Sequence, residues 1–134
     1  MEKETETLLI EQAIAARNRA YAPYSEFNVG AALLLADGET IITGCNVENA
    51  SYGLAICAER NAICAAVAQG HTDTDFSAIV VAASPLASPC GACRQFIVEF
   101  GKGIVVVSVD PKDTSKVLRW TSDQLIPDSF EFKK

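Results

Sequence analysis

The sequence lacks the features of a membrane-spanning or nucleic-acid-binding chain. No apolar run approaches the roughly 20 residues that a membrane helix needs, and the opening stretch "MEKETETLLI" is acidic and polar, unlike a secretory signal. Positive charge is scarce, because 11 Lys and Arg face 17 Asp and Glu, for a formal net charge of −6. A phosphate backbone normally requires a basic protein face. We therefore expect no membrane and no nucleic acid as partners, and a small molecule or another protein instead.

Internal repeats, low-complexity segments and linkers are also missing, and 134 residues suit one domain. The five cysteines form an odd number, which together with the polar start argues against a secreted disulfide scaffold. In a reducing compartment, clustered thiols indicate metal binding or catalysis. We expect a single cytoplasmic domain over residues 1–134.

The order of predicted elements indicates a three-layer α/β domain with a mixed sheet covered by helices. Helical spacing of apolar residues predicts the first helix, and β-branched or apolar runs flanked by turn residues predict strands. The predicted helices cover 5–20, 57–70 and 91–101; the predicted strands cover 28–36, 40–47, 76–84 and 103–110, with a hairpin turn at Asp37-Gly38; "SKVLRWT" is a further short segment before a helical turn in "SDQLIPDSF".

Three cysteines lie where two predicted helices begin. Cys57 opens one helix, and Cys90 and Cys93, within "PCGAC", open the next. A Cys-x-x-Cys pair across a helix start places both sulfurs on one side, which is a recurring zinc half-site. A third thiol from a neighbouring helix gives three protein ligands, and a tetrahedral zinc then keeps one position for water.

A fourth protein ligand would instead make a closed structural site. Cys64 lies about 10 Å along the helix from Cys57, at 1.5 Å of rise per residue, which is too far for a shared metal. His71 is farther still, and spacing alone leaves Cys45 open as a ligand. We interpret Cys45 and Cys64 as core residues and His71 as a solvated loop residue.

Charged residues around the thiols match the needs of such a site. Three thiolates over-neutralise a zinc ion, and either Arg60, one turn after Cys57, or Arg94, next to Cys93, could donate hydrogen bonds that draw thiolate charge away. Glu59 could move protons beside a metal-bound water. In the alternative interpretation all three charged residues lie on solvated helix faces.

The motif "CAE" followed by "PCGAC" resembles the signature of zinc nucleoside deaminases. More of the chain is similar to the small homotetrameric cytidine deaminases with a three-cysteine zinc site; the similar stretches are "YAPYSEFNVGAALL" (21–34), "GCNVENASY" (44–52), "CAERNA" (57–62), "SPCGACRQ" (88–95) and "LIPDSF" (125–130). The resemblance implies a three-layer α/β/α fold with a mixed five-stranded sheet.

The resemblance also implies a reaction in pyrimidine salvage. Cytidine and 2′-deoxycytidine would be hydrolysed to uridine and 2′-deoxyuridine with release of ammonia, through attack of a zinc-bound hydroxide on C4. One zinc per chain would be held by Cys57, Cys90 and Cys93. Glu59 would carry the proton from the water to ring N3 and then to the leaving amine.

Six residues would contact the nucleoside. Asn46 and Glu48 would bind the ribose hydroxyls, and as alternate residues of an extended segment they should face one way. Phe27 would pack on the pyrimidine, and the backbone of Ala58 would read the base edge. Phe130 and Tyr52 would reach a neighbouring subunit's site, so the active sites would need the homotetramer.

Two alternatives remain at this stage. One is a deaminase of another cytosine-bearing molecule, such as a nucleoside antibiotic, although the Asn46 and Glu48 pair favours an ordinary ribose. The other is a structural zinc or redox protein, which would form a reversible disulfide between Cys90 and Cys93 or function without Glu59.

Overall fold

The structure is a computed structural model, and it describes residues 1–72 and 74–132. Within these residues, five strands form one sheet, and four helices cover it. In chain order the elements are α1 (Lys3–Arg17), β1 (Val29–Leu35), β2 (Ile41–Cys45), α2 (Ala58–Ala68), β3 (Phe76–Ala83), α3 (Gly91–Val98), β4 (Val105–Asp110), β5 (Asp113–Thr121) and α4 (Ser122–Leu125), with a 3₁₀ turn at Tyr52–Leu54.

The sheet is mixed, as the sequence predicts. Its strand order is β2-β1-β3-β4-β5, in which β3 and β4 run parallel and the other neighbours run antiparallel. The hairpin between β1 and β2 turns at Gly38, whose φ of 77° favours glycine. The Asp37 carboxylate accepts hydrogen bonds from the backbone N–H groups of Glu39 and Thr40, which closes the turn.

The alternating side chains of β1 separate two apolar layers. Ala31, Leu33 and Leu35 pack in a cluster that includes residues of α2, α3 and α4, whereas Ala32 and Leu34 pack in a second cluster with residues of α1. Helices therefore lie on both faces of the sheet, which confirms the three-layer α/β/α fold.

Several helix and strand boundaries differ from the predicted ones. The first helix ends at Arg17 rather than at residue 20, and the second strand ends at Cys45 rather than at residue 47. Just after the end of β2, Val47 makes isolated backbone bridges to Tyr21 and to Ile56. The fifth strand begins at Asp113, earlier than "SKVLRWT" suggests. Within the described residues, no helix has the length and apolar character needed to cross a bilayer.

Two glycines let helices approach the sheet closely. Gly30 lies under the backbone of α1, and Gly44 lies under the backbone of α2 on the opposite face. A Cβ atom at either position would overlap helix backbone atoms. The second contact matters for the site, because it sets how near the start of α2 lies to the strands.

Candidate metal centre and active site

Three thiols converge where α2 and α3 begin. The sulfur atoms of Cys57, Cys90 and Cys93 all lie within 4.8 Å of one another, and the Sγ atoms of Cys57 and Cys90 are 3.7 Å apart. Two thiolates bound at about 2.3 Å to one tetrahedral zinc would lie roughly 3.8 Å apart. The donor set and its spacing therefore fit a zinc ion.

The thiols lie at the N-termini of two helices that the fold brings together. Cys57 is the N-cap of α2, and Cys90 is the N-cap of α3. The Sγ atom of Cys90 accepts a hydrogen bond from the backbone N–H of Cys93 at 3.4 Å. The positive ends of two helix dipoles thus face the sulfurs, and such ends favour thiolate over thiol.

The pKa values of the Cys57 and Cys93 thiols shift in opposite directions. The hydrogen bond that the Cys93 thiol donates, followed by contacts with Arg60 and Cys90, lowers the pKa of Cys57 to about 5, although burial opposes this shift. The same hydrogen bond, burial and the nearby Glu59 raise the pKa of Cys93. Of these two thiols, Cys57 therefore ionises more readily than Cys93.

The two arginines behave differently. An Nη atom of Arg60 lies 3.6 Å from the Sγ atom of Cys57, which is the contact that the sequence predicts. For Arg94 the sequence leaves a thiolate contact open, and the structure gives its side chain other partners. Its Nε donates to the carbonyl of Pro89 at 2.9 Å and its Nη1 to the carbonyl of Leu125 at 2.9 Å. Within the described residues, Arg94 therefore bonds carbonyl oxygens and no thiolate.

Glu59 is a buried carboxyl beside the thiols, with only 4% of its surface exposed. Burial, with a smaller effect from the charge of Cys57, raises its pKa. Ionised carboxyl groups are rarely buried without a partner. The solvated-face alternative for Glu59 is therefore wrong, and the position suits a group that alternates between protonated and ionised forms.

A small cleft connects the thiols to Glu59. Its volume is about 190 Å³, and its lining includes Cys57, Glu59, Ala58, Phe27 and Asn46. Drug-sized sites have roughly 300–1,000 Å³, so this cleft suits a single small ring. With Cys90, which also lines the cleft, six of the predicted site residues therefore line one space.

Asn46 also supports the wall of the cleft. Its amide nitrogen donates to the carbonyl of Phe27 at 2.8 Å, and its amide oxygen accepts from the N–H of Val29 at 2.9 Å. A primary amide has two N–H donors, so one donor remains for a ligand.

Asn46 lines the cleft beside the thiols, and the prediction that Asn46 and Glu48 bind one ribose stays a prediction. Glu48 lines a separate cavity of about 350 Å³, together with Tyr52 and Ser25. Its carboxylate accepts hydrogen bonds from the Ser25 hydroxyl and from the N–H groups of Tyr24 and Ser25. These bonds, that from the Ser25 hydroxyl most of all, lower the pKa of Glu48.

Phe130 lies apart from both cavities in the single chain. It is 70% exposed and contacts the ring of Phe132, with centroids 6.3 Å apart. Its carbonyl accepts a hydrogen bond from the Gln95 side chain at 3.3 Å.

The remaining cysteines stay outside the thiol group. Cys64 is exposed on α2, so its prediction as a core residue is wrong, because it occupies the solvent side of that helix. Cys45 is half-buried on β2, and its thiol lies 3.7 Å from the carbonyl of Arg19. Among the described residues, Cys57, Cys90 and Cys93 are the only group of three or more His, Cys, Asp or Glu side chains that lie close enough together to hold a metal ion.

Sequence reasoning missed residues that shape the cleft. Val81 and Ala83 come from the end of β3, and Ala87, Ser88 and Pro89 come from the loop before α3. The motif "SPCGAC" marks this loop, but no local signal shows that apolar strand residues also line the site.

The chain matches a family model over most of its length. Residues 3–109 match the model described as the cytidine and deoxycytidylate deaminase zinc-binding region. The chain belongs to this family. Membership makes zinc the cofactor of the three-thiol group, because the family is defined by its zinc-binding region.

Relatives agree in sequence and in structure. A cytidine deaminase of Halalkalibacterium halodurans is 52% identical over 92 residues, which are 69% of each chain. The crystal structure of a cytidine deaminase from Burkholderia pseudomallei is 46% identical and superposes with a TM-score of 0.88, covering 97% of this chain and 100% of that one. A more distant relative, a blasticidin-S deaminase of Bacillus cereus, is 31% identical over 113 residues, covering 77% of this chain and 76% of that one.

Proposed function

We propose that the chain hydrolyses cytidine and 2′-deoxycytidine to uridine and 2′-deoxyuridine, with release of ammonia. One observation carries this proposal: the buried carboxyl of Glu59 shares a small cleft with a three-thiol group that fits zinc. A structural zinc site or a redox pair would not need a buried acid beside it. The family and the named relatives favour cytidine as the substrate.

Cys57, Cys90 and Cys93 would hold the zinc ion, which when bound supplies the Lewis acid that activates a water molecule. Glu59 would take a proton from that water and pass it to N3 of the cytosine ring. After the water oxygen has bonded to C4, Glu59 would take the remaining proton of that hydroxyl, which becomes the C4 carbonyl, and deliver it to the departing amino group. The C4–N bond breaks, and ammonia leaves.

The cleft would hold the base, with the sugar pointing out of it. Phe27 is partly exposed at the cleft and can pack on the ring, while the backbone of Ala58, which is fully buried, can read the base edge. The remaining N–H of Asn46 would bind a ribose hydroxyl. Glu48 would bind ribose through the oxygen lone pairs that Ser25 and Tyr24 leave unused.

We propose that the active unit is a homotetramer. Large apolar side chains are exposed on adjacent loops: Tyr21, Tyr24, Val47, Tyr52, Leu54 and Ile56. The backbone bridges of Val47 to Tyr21 and to Ile56 hold these loops together, and Tyr52 is 86% exposed. Contiguous exposed apolar surface indicates a protein interface. A neighbouring copy would cover this surface and would contribute Phe130 to the site.

A cytoplasmic location and a role in pyrimidine salvage complete the proposal. None of the five cysteines, all of which lie in the described part of the chain, forms a disulfide, which suits a reducing compartment. The uridine product would be available for reuse as a pyrimidine.

The test follows the ultraviolet absorbance change as cytosine becomes uracil, in protein of measured zinc content. We expect about one zinc per chain, turnover of both nucleosides, and loss of turnover after zinc is removed by a chelator. Glu59→Gln should keep zinc and lose turnover by at least 100-fold, whereas Glu11→Gln, an exposed carboxyl on α1, should behave as wild type.

The substrate panel separates the alternatives. Blasticidin S hydrolysed faster than cytidine would favour the antibiotic-deaminase alternative. Full zinc content without turnover of any cytosine compound would favour a structural site. Unchanged turnover in Glu59→Gln would remove Glu59 from the proposed mechanism.

A further inference from the structure

We infer that Arg94 is a positioning residue that holds the zinc-binding loop against the C-terminal segment. The inference rests on the proposed zinc site but not on the proposed substrate. The guanidinium of Arg94 joins two segments that are far apart in the sequence, because its two acceptors are the carbonyl groups of Pro89 and Leu125.

Both acceptors lack a partner in their own element. Pro89 precedes the N-cap of α3, so its carbonyl lies outside the hydrogen-bond ladder of that helix. Leu125 ends α4, and the last carbonyls of a helix have no partner within it. Charged donors make strong hydrogen bonds to such groups. Arg94 therefore stabilises the loop immediately before Cys90 and the end of α4 with one side chain.

The next residue on α3 extends the same connection. The side chain of Gln95 donates to the carbonyl of Phe130 at 3.3 Å. Through Arg94 and Gln95, α3 is thus hydrogen-bonded both to the loop before Cys90 and to the segment 125–130.

Neutralising the charge of the thiolates does not explain where the guanidinium of Arg94 makes its hydrogen bonds. Arg60 contacts the Sγ atom of Cys57, whereas both bonded donors of Arg94 are directed to carbonyl groups. A lysine provides a compact ammonium group without the planar fork of arginine, so Arg94→Lys should keep at most one of the two bonds.

The primary test measures zinc release into a chromogenic chelator, which needs no substrate. We expect Arg94→Gln to release zinc about 10- to 100-fold faster than wild type, in line with the effect of other residues that orient metal ligands. Arg94→Lys should be intermediate, and it keeps the test available if Arg94→Gln does not fold.

Two control variants separate positioning from general loss of stability. Ser122→Ala removes the hydrogen bonds that this buried side chain makes with Gly101 and Ile104, so it weakens α4 without touching the metal loop. Arg119→Gln removes an exposed guanidinium that pairs with Glu6. We expect both controls to release zinc at the wild-type rate at temperatures well below their melting points.

Hydrogen exchange of the backbone amides tests the hydrogen-bonded connection that Arg94 makes, and it can also be measured in metal-free protein. In Arg94→Gln, peptides over 84–93 and over 122–132 should both exchange faster than in wild type. Three outcomes would overturn the inference. They are faster exchange in only one of the two peptides, zinc release by Arg94→Gln at the wild-type rate, and zinc release by Ser122→Ala that is accelerated as much as by Arg94→Gln. Wild-type protein that holds zinc but lacks deaminase activity would contradict the proposed function and leave this inference standing if zinc release still depends on Arg94.

Discussion

Replacing Gly44 with alanine should displace the start of α2 and impair the site without changing any site residue. An added Cβ atom would lie 2.4 Å from the backbone nitrogen of Ala62, 2.7 Å from the carbonyl oxygen of Ala58 and 2.9 Å from the Cα of Ala62. Ordinary contact for a Cβ begins at 3.4 Å. All three neighbours are backbone atoms, so no side chain can rotate away.

The size of the effect follows from this overlap. The helix must move by about 1 Å, and overpacking of this kind costs about 1–3 kcal/mol in free energy of unfolding. Because Cys57 and Glu59 belong to the same end of α2, they would move with it. A displacement of about 1 Å at catalytic groups can lower the rate by about 100-fold. We therefore expect kcat/KM of the folded variant to fall by about that factor.

Two further glycines serve as matched controls. At Gly103 an added Cβ meets nothing within 4 Å, so Gly103→Ala should match wild type in melting temperature. At Gly30 it would lie 2.0 Å from the carbonyl oxygen of Ala13, on the α1 face of the sheet. Gly30→Ala should lose stability but retain more activity per folded molecule than Gly44→Ala, because α1 lines neither cavity of the proposed site.

The assays are thermal unfolding, zinc content and kcat/KM corrected for the folded fraction. A Gly44→Ala variant with wild-type melting temperature and activity would refute the steric reasoning. Equal loss of activity per folded molecule in Gly30→Ala and Gly44→Ala would refute the link between the position of α2 and the chemistry.

Three further predictions address single side chains. Ser108→Ala should raise the free energy of unfolding by about 1 kcal/mol in denaturant titrations, because the buried Ser108 hydroxyl has no partner among the described residues; a clear loss would mean that the hydroxyl is bonded. Hydrogen bonds from Thr40 and Glu39 lower the pKa of Asp37 to about 2 from 3.8, so its contribution is full above pH 3.8 and disappears as the pH falls toward 2. Asp37→Ala should therefore melt below wild type at pH 6, and the difference should shrink in acid; a gap independent of pH would contradict this origin. Arg60→Ala should keep zinc but lower kcat by about 10- to 100-fold, since the thiolate of Cys57 loses its partner; an unchanged kcat in steady-state assays would remove Arg60 from the charge argument.

The sequence alone was enough to predict the sheet, its helices and the three-thiol group. Helix starts depend on residues close in the chain, so the placement of Cys57 and Cys90 at two N-caps could be inferred from nearby turn and helix signals. The Cys90-x-x-Cys93 spacing fixes the second half of the group in the same local way. The roles of the substrate-binding residues in turnover remain predictions.

Contacts between distant segments required the tertiary structure. Arg94 bonds a carbonyl 31 residues away, and Glu48 bonds Ser25 across 23 residues, so neither partner follows from local spacing. The solvent-facing side of Cys64 likewise depends on how α2 lies on the sheet. Periodicity and capping are set by neighbouring residues, whereas the acceptor that a long side chain finds depends on which segments pack together. The sequence therefore determined which residues could form the metal centre, and only the packing of α3 against the C-terminal segment decided what Arg94 does there.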